Sequence, residues 1–261
     1  MNSQSRLKIT DRINLYVTAL LLLVAMAISL TDSNQRLFIE LNHLFSVLPG
    51  TLLQHLTSLA DVSVVISLLL IVMAVRPMLA WQILLAGIAT GLIVQAMKMG
   101  IAHPRPAATL PIDTFNLQGP ALASSFSFPS GHSATIAIFL APVIFTLHKR
   151  SLQILLLMIM LFIASARIAV GAHWPLDVIA GVFIGWWICL LLYSPIANLR
   201  WTTSRHAQAF GMTGVSILVI YGGFFHHTGY HTEMMQAVIA STALIYSWSS
   251  FTRTKKQTRH P

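Results

Sequence analysis

KMGIAHPRP (98–106), FPSGHS (128–133) and RIAVGAHWPLD (167–177) are three polar clusters in a chain that is otherwise mostly hydrocarbon. Together they supply three cations, three histidines, a carboxylate and a Ser-Gly turn. A protein that holds and transfers a phosphoryl group needs such positive and hydrogen-bonding groups around the phosphate oxygens. The clusters therefore predict a phosphoryl-transfer site, and the rest of the chain is expected to be organised around it.

The composition indicates a membrane protein. Of 261 residues, 56% are hydrophobic and 9% are charged, and the mean hydropathy is +0.74. Ordinary globular domains carry about 25% charged residues, so most of this surface does not face water. The net charge is +9, but the basic residues form short runs between apolar segments, which is typical of a membrane surface and argues against a nucleic-acid partner. The lone cysteine, Cys189, excludes an intrachain disulfide and a multi-cysteine metal site.

Eight apolar runs predict an all-α fold, a polytopic membrane bundle of helices. We expect a six-helix core that carries the three clusters within residues 1–200, and two additional spans with a basic cytoplasmic tail within residues 201–261. Residues 32–60 fit either an amphipathic interfacial helix or a plain connector. The second run is short for a span, so its helix is expected to begin a few residues earlier. The cores of the runs lie near 13–30, 62–75, 79–97, 131–147, 151–168, 175–193, 209–225 and 234–250.

The basic residues predict how the helices are oriented. With the N-terminus inside, and with the run at 13–30 as an uncleaved anchor instead of a signal peptide, all three clusters face the non-cytoplasmic side. The four basic residues on that side are Arg36, Lys98, Arg105 and Arg167, and three of them belong to the clusters. The other twelve of the sixteen face the cytoplasm: Arg6, Lys8, Arg12, Arg76, Lys149, Arg150, Arg200, Arg205, Arg253, Lys255, Lys256 and Arg259.

The three cations of the clusters are candidate phosphate ligands. Arginine offers a planar fork of donors, whereas lysine is a point charge. Lys98 and Arg105 flank one short segment, and Arg167 lies within an apolar run. The ordinary explanation is that such cations reach for lipid head groups from helix ends, and it fits Lys98 better than Arg167.

The second cluster predicts an anion site at a helix N-terminus. Ser130 and Gly131 open an apolar run, where free backbone N–H groups and the positive end of the helix dipole favour a phosphate. Gly131 allows close approach of a ligand, and Ser130 adds a hydroxyl. A simple helix cap remains the alternative for Ser130.

The third cluster predicts a nucleophile. His173 and Asp177 lie four residues apart across Pro175, so a helix that begins there brings the carboxylate to the imidazole ring. His132 has no acid nearby in sequence and is then available to protonate the leaving oxygen. Only Asp113 and Asp177 are acidic between Lys98 and Arg200, so no carboxylate pair in this stretch can hold a hard cation. The alternative is an interfacial histidine beside an ordinary helix N-terminal acid.

The sequence also contains residues for two other chemistries. Ser130 as the nucleophile of a serine hydrolase lacks a G-x-S-x-G elbow and leaves the cations unexplained. A metal site built from His226, His227, His231 and Glu233 matches no known spacing, and polar loop histidines are the alternative.

The clusters resemble the type 2 phosphatidic acid phosphatase superfamily, whose pattern is K-x6-R-P, then P-S-G-H, then S-R-x5-H-x3-D. The close match covers residues 98–177. The one departure is Ala166 in place of the serine, with Ser165 one residue earlier. The matching positions are Lys98, Arg105, Pro106, Pro129, Ser130, Gly131, His132, Arg167, His173 and Asp177.

The resemblance implies a phosphohydrolase on a helical bundle that needs neither metal nor cofactor. His173 is expected to attack phosphorus and form a phosphohistidine, Asp177 to support it, and His132 to protonate the leaving group. Soluble vanadate-dependent haloperoxidases share the site, but the apolar runs argue against that branch. The expected ligands of the phosphate oxygens are Lys98, Arg105, Ser130, Gly131 and Arg167.

The leading hypothesis is an integral phosphatase of a bacterial inner membrane, with membrane lipids as its surroundings and a lipid phosphate as its substrate. Members of the family act on phosphatidic acid, phosphatidylglycerol phosphate, undecaprenyl pyrophosphate, lipid A phosphate or glucose 6-phosphate, and the sequence does not choose among the lipids. A lipid-to-lipid phosphotransferase is the alternative enzyme. A transporter or lipid-binding scaffold that uses the cations as an anion path is the non-enzymatic alternative. The sequence does not specify an oligomeric state.

Overall fold

A computed structural model describes residues 3–257, with side chains for residues 12–253, and this part of the chain is helical and contains no strand. The basic side chains of Arg6, Lys8, Lys255, Lys256 and Arg259 lie outside the described residues. The all-α prediction is confirmed. The helices are α1 (Ser3–Leu30), α2 (Asn34–Phe45), α3 (Gly50–Ser58), α4 (Val62–Val75), α5 (Pro77–Ile101), α6 (Pro106–Thr109), α7 (Gly131–Thr146), α8 (Arg150–Ala169), α9 (Pro175–Ala197), α10 (Arg205–Phe224) and α11 (Glu233–Gln257).

Local chemistry sets where several helices begin. Asp61 caps α4 by accepting a hydrogen bond from Ser63 N, and Ser130 and Ser204 do the same for α7 and α10. Such caps satisfy backbone N–H groups that have no partner within the helix. Proline occupies the first turn of α5, α6 and α9, where its missing N–H costs nothing.

Each of the eight apolar runs lies within a helix, but the helices differ in how well they suit a membrane. Among the described residues, α1, α5, α8, α9 and α10 are long and apolar enough to cross it. The pair α3–α4, bent by 50°, makes a sixth if it is one span, and α7 is apolar but has only 16 residues. The composition of α11 falls short of the same standard, because polar side chains such as Gln236 and Ser247 interrupt its apolar residues. Its crossing therefore stays a prediction.

The region before α4 differs from the expectation that one helix simply begins earlier. One helix ends at Ser58 and the next begins at Val62, so α3 and α4 are separate helices. Residues 34–45 are helical, which agrees with the predicted amphipathic helix and excludes a plain connector. Asn42 fixes α2 to the bundle, since its side-chain amide donates to the carbonyls of Ile168 and Ala169 at the end of α8.

Helix α9 lies at the centre of the bundle and packs most closely against α7. Gly181 and Gly185 make this approach possible, because a Cβ on either would overlap a backbone oxygen of α7 or its cap, those of Ser130 and Ala134. Helices α5 and α8 pack on the same pair, and α10 and α11 pack on α4. The third cluster at the start of α9 is thereby brought beside the second at the start of α7.

Candidate active site

Three hydrogen bonds tie the three clusters together. The N–H of Ser127 donates to the carbonyl of His103 (2.7 Å), and the N–H of Ser130 donates to the carbonyl of Asp177 (2.9 Å). The indole N–H of Trp174 donates to the carbonyl of Pro104 (2.9 Å), which joins the third cluster to the first. The clusters thus form one site, as their shared predicted face requires.

The turn between α8 and α9 presents His173 to Asp177. Gly171 takes a left-handed conformation (φ +77°) that ends α8, and Pro175 begins α9. Asp177 then lies in the first helical turn, where its Oδ2 accepts from Trp174 N (2.9 Å) and lies 3.4 Å from His173 Nδ1. The hydroxyl of Ser127 also donates to this oxygen. Both members of the pair are buried.

The other ring nitrogen of His173 faces a cation. Arg105 Nη1 lies 3.0 Å from His173 Nε2. A guanidinium has only donors, so Nε2 must accept, and the ring proton lies on Nδ1, toward Asp177. Burial, together with the positive charges of Arg105 and Arg167, holds the pKa of His173 well below its usual value. His173 is therefore a neutral imidazole with the lone pair of Nε2 directed into the cationic site.

The cations are held by neutral acceptors. Arg105 Nε donates to Ser125 Oγ (2.7 Å) and its Nη1 to the carbonyl of Ala172 (2.8 Å), while Lys98 Nζ donates to the carbonyl of Phe126 (2.8 Å). The cations interact electrostatically with one another. Among the described residues, none of these three cations forms a salt bridge with a carboxylate, and the excess of positive charge suits an anion.

Arg167 is held by side chains from elements outside the three clusters. Its Nη1 donates to Thr57 Oγ1 of α3 (2.7 Å) and to the hydroxyl of Tyr230 (3.0 Å), which lies between α10 and α11. Its Nε is buried and has no hydrogen-bond partner within the described part of the chain. A buried, unpaired guanidinium nitrogen is a donor left open for a ligand.

At the start of α7, Ser130 acts as a cap. Its Oγ accepts from Ser133 Oγ (2.9 Å) and from Ser133 N (3.4 Å). Gly131 borders open space, since a Cβ there would meet no atom within 4 Å. His132 Nε2 lies 3.4 Å from Asp61 Oδ2, at the bend between α3 and α4.

Sequence reasoning missed five residues that contact the site, one of which is Asp61 at the bend between α3 and α4. Ser125 and Ser127 lie in the polar insertion, where nothing distinguishes them from their neighbours. Thr57 and Tyr230 approach only through packing. Within the described residues, no three His, Cys, Asp or Glu side chains are grouped as metal ligands. The loop that contains His226 reaches the site through Tyr230.

An apolar cavity of about 420 Å³ adjoins His132. It lies between α4, α5 and α7, and aliphatic side chains such as Leu69, Ile83 and Ile138 line it together with His132. The hydroxyl of Thr90, also in the wall, has no hydrogen-bond partner among the described residues. The cavity is large enough for part of an acyl or isoprenoid chain.

A helical bundle that places a cationic pocket and two histidine–carboxylate pairs at the ends of its apolar helices is an integral membrane protein. Residues 79–201, just under half of the chain, match the model of the PAP2 superfamily.

Known relatives and a solved structure share this region. The chain is 35% identical over 103 residues to a lipid A 1-phosphatase from Rhizobium johnstonii, which is 39% of this chain and 41% of that protein. It is 37% identical over 68 residues to an undecaprenyl-diphosphatase from Sulfolobus acidocaldarius, 26% of this chain and 32% of that protein. The matched part is thus less than half of either relative. The crystal structure of Aquifex aeolicus LpxE superposes with a TM-score of 0.54 at 27% identity, covering 62% of this chain and 94% of that one.

Proposed function

We propose that this protein is a membrane phosphatase that hydrolyses a lipid phosphate or diphosphate through a phosphohistidine at His173, without a divalent metal. One observation carries the proposal: the neutral His173 directs Nε2 toward Arg105 while its Nδ1 faces the carboxylate of Asp177. A histidine oriented in this way has a nucleophilic lone pair on the cationic side and a partner for the positive charge that forms after attack.

In the proposed first step, Nε2 attacks phosphorus while the bond from phosphorus to the lipid oxygen breaks. A proton from His132 passes to that oxygen, so the lipid leaves as an alcohol or, from a diphosphate, as a monophosphate. Water then attacks the phosphohistidine, returns a proton to His132 and releases inorganic phosphate. The enzyme is restored, and one water is consumed for each phosphate released.

The proposed phosphate ligands are Lys98, Arg105, Arg167, Ser130 and Gly131. Arg105 exchanges its hydrogen bond to Nε2 for one to a phosphate oxygen, and the unpaired Nε of Arg167 supplies another donor. The N-terminus of α7 offers backbone N–H groups near Gly131, where space is open. These donors replace the charge neutralisation that Mg²⁺ gives in other phosphoryl transfers.

The cavity beside His132 supports a lipid as the leaving group. His132 is the proposed proton donor to the leaving oxygen, so the part of the substrate attached to that oxygen lies next to this apolar space. The named relatives, a lipid A 1-phosphatase and an undecaprenyl-diphosphatase, are also consistent with a lipid. Phosphatidic acid, phosphatidylglycerol phosphate, undecaprenyl pyrophosphate and lipid A phosphate are the candidate substrates, and a bacterial inner membrane is the proposed location.

The test is phosphate release by the purified protein in detergent from these four lipids and from glucose 6-phosphate, with and without a chelator. We expect release from at least one lipid, insensitivity to the chelator and loss in His173→Ala. His148→Ala, an exposed histidine remote from the clusters, is the matched control and should behave like wild type. Transfer of labelled phosphate to a second lipid in place of water indicates the phosphotransferase, and no release from any substrate refutes the enzyme.

Filling the cavity tests the lipid subsite. Gly91 lines the cavity, and a Cβ there meets no atom within 4 Å, so the side chain of Gly91→Leu starts in open space. We expect kcat/KM for long-chain substrates to fall on the order of tenfold, with little effect on glucose 6-phosphate if it is a substrate. Gly214→Leu on α10, where a Cβ also meets nothing, is the control. If Gly91→Leu and Gly214→Leu lower kcat/KM for long-chain substrates equally, the cavity is not a lipid subsite.

A further inference from the structure

Asp61 lies at the break between α3 and α4, and only one of its carboxylate oxygens is needed there. Oδ1 accepts from Ser63 N (2.8 Å) and from Ser63 Oγ (2.6 Å), which satisfies the start of α4. A serine or an asparagine provides such a cap without burying a charge. Asp61 is nevertheless buried, and a buried carboxylate is costly unless a partner compensates it. The cap alone therefore does not account for an aspartate at this position.

The second oxygen of Asp61 points at His132. Oδ2 lies 3.4 Å from His132 Nε2, and among the described residues His132 Nδ1 has no hydrogen bond, so Nδ1 is the ring nitrogen free to meet a substrate. Arg167 and Arg105 place positive charge near the same ring. The carboxylate of Asp61 opposes them and is the only acid paired with His132 within the described part of the chain.

We propose that Asp61 is a positioning residue for proton transfer to the leaving group. It holds Nε2–H of His132, directs Nδ1 toward the lipid oxygen and stabilises the imidazolium that donates the proton. This inference rests on the proposed phosphatase function. When the bond from phosphorus to the lipid oxygen breaks, the Nδ1 proton moves to that oxygen, and the neutral ring regains a proton from the water that attacks the phosphohistidine.

The sharpest test compares two substrates that have apolar tails of similar length but different leaving groups. An alkyl phosphate releases a poor leaving group that needs a proton, whereas a 4-alkylphenyl phosphate of similar length releases a phenol, whose pKa of about 10 makes protonation less important. Asp61→Asn retains an oxygen for the cap at Ser63 and removes the charge. We expect it to slow phosphate release from the alkyl phosphate about 10- to 100-fold and to change release from the aryl phosphate much less.

Three further variants make the result unambiguous. Asp113→Asn, on an exposed turn, should leave both rates unchanged. Asp61→Glu, which keeps a carboxylate, should recover part of the alkyl rate and gives a second reading if Asp61→Asn folds poorly. His132→Gln should show the same preference for the aryl substrate, and adding Asp61→Asn to it should cause little further loss, because the two residues act as one unit.

The outcomes separate this inference from the function on which it rests. No release from either substrate by the wild type refutes the phosphatase itself. An active wild type whose alkyl-to-aryl rate ratio is unchanged in Asp61→Asn, or a double variant in which the two losses multiply, overturns the role of Asp61 and leaves the phosphatase intact. A selective loss on the alkyl substrate that is absent in the His132→Gln background supports it.

Discussion

The two histidine–carboxylate pairs of the site are built in opposite ways. His173 and Asp177 are four residues apart on one turn and the start of one helix, and their side chains are 2% and 1% exposed. His132 and Asp61 come from different helices, and their side chains are 26% and 8% exposed. The first pair engages Nδ1 and leaves Nε2 toward the cations, whereas the second engages Nε2 and leaves Nδ1 free.

The difference corresponds to the two tasks proposed for them. A nucleophile must meet phosphorus along one direction, so a short, buried connection with several hydrogen bonds is suited to it. A proton donor must reach an oxygen on substrates that differ in their lipid part, and the more open His132 beside the cavity can do so. A covalent intermediate should therefore depend on the first pair, and the response to the leaving group on the second.

The largest effects should come from the histidines themselves. His173→Ala and His132→Ala should each lower turnover on the order of 10³-fold or more, because concerted groups fail together. Only His132→Ala should still trap labelled phosphate on the protein after quenching with detergent at alkaline pH, which preserves a phosphohistidine, since its nucleophile is intact. A label retained by His173→Ala contradicts the assignment, whatever its turnover.

Removing one carboxylate at a time should distinguish the roles of the two histidine–carboxylate pairs. Asp177→Asn removes the acceptor that fixes the proton on Nδ1, and we expect phosphohistidine formation to slow on the order of 10²- to 10⁴-fold for alkyl and aryl substrates alike. Asp61→Asn should cause the smaller loss, and only for alkyl substrates. Single-turnover measurements with both substrates show which variant loses more rate. If the loss depends on the leaving group in Asp177→Asn and not in Asp61→Asn, the roles proposed for the two pairs are reversed.

A third contact lies outside both pairs and should have a smaller effect. Tyr230→Phe removes the hydroxyl that accepts from Arg167 Nη1 while Thr57 remains, so we expect kcat/KM to fall about tenfold. Tyr221→Phe on the exposed side of α10 is the control. An unchanged kcat/KM in Tyr230→Phe shows that Thr57 alone is sufficient.

With an aryl substrate, whose leaving group needs little protonation by His132, the pH profile should show almost no effect near neutrality. The pKa of His173 is held well below its ordinary value of about 6.5, so the nucleophile is already neutral at pH 7 and stays so as the pH is lowered moderately. Activity should fall only when the pH drops through that lowered pKa and Nε2 becomes protonated. The rate at which labelled phosphate becomes attached to the protein is measured between about pH 7.5 and 5.5. A decrease in that rate as the pH falls through about 6.5, the ordinary histidine pKa, contradicts a neutral His173.

Orientation can be tested without changing activity. The proposal places both pairs on the non-cytoplasmic side, so a cysteine at Thr109 should react with an impermeant thiol reagent added to intact cells and a cysteine at Arg150 should not. The native Cys189 is buried and contributes little background. The reverse labelling pattern inverts the proposed topology.

Sequence patterns predicted the pair that depends on local geometry and missed the pair that depends on packing. The four-residue spacing across Pro175 is sufficient to predict the contact of His173 with Asp177. The contact of Asp61 with His132 depends on how α4 packs against α5 and α7, and on a break in what was expected to be one helix that simply began earlier. The D-x-S cap preceding the apolar run at 62–75 was the signal available for that break.

Tyr230 links the end of the chain to its active site, and this has a consequence for biosynthesis. Membrane proteins are made from the N-terminus, so α8 and Arg167 emerge from the ribosome before the segment between α10 and α11. Until that segment arrives, the guanidinium of Arg167 has Thr57 but not Tyr230 as an acceptor. The proposed phosphate pocket therefore takes its final form late in synthesis, and a nascent chain that already contains every residue of the three clusters still lacks one of the contacts that hold Arg167.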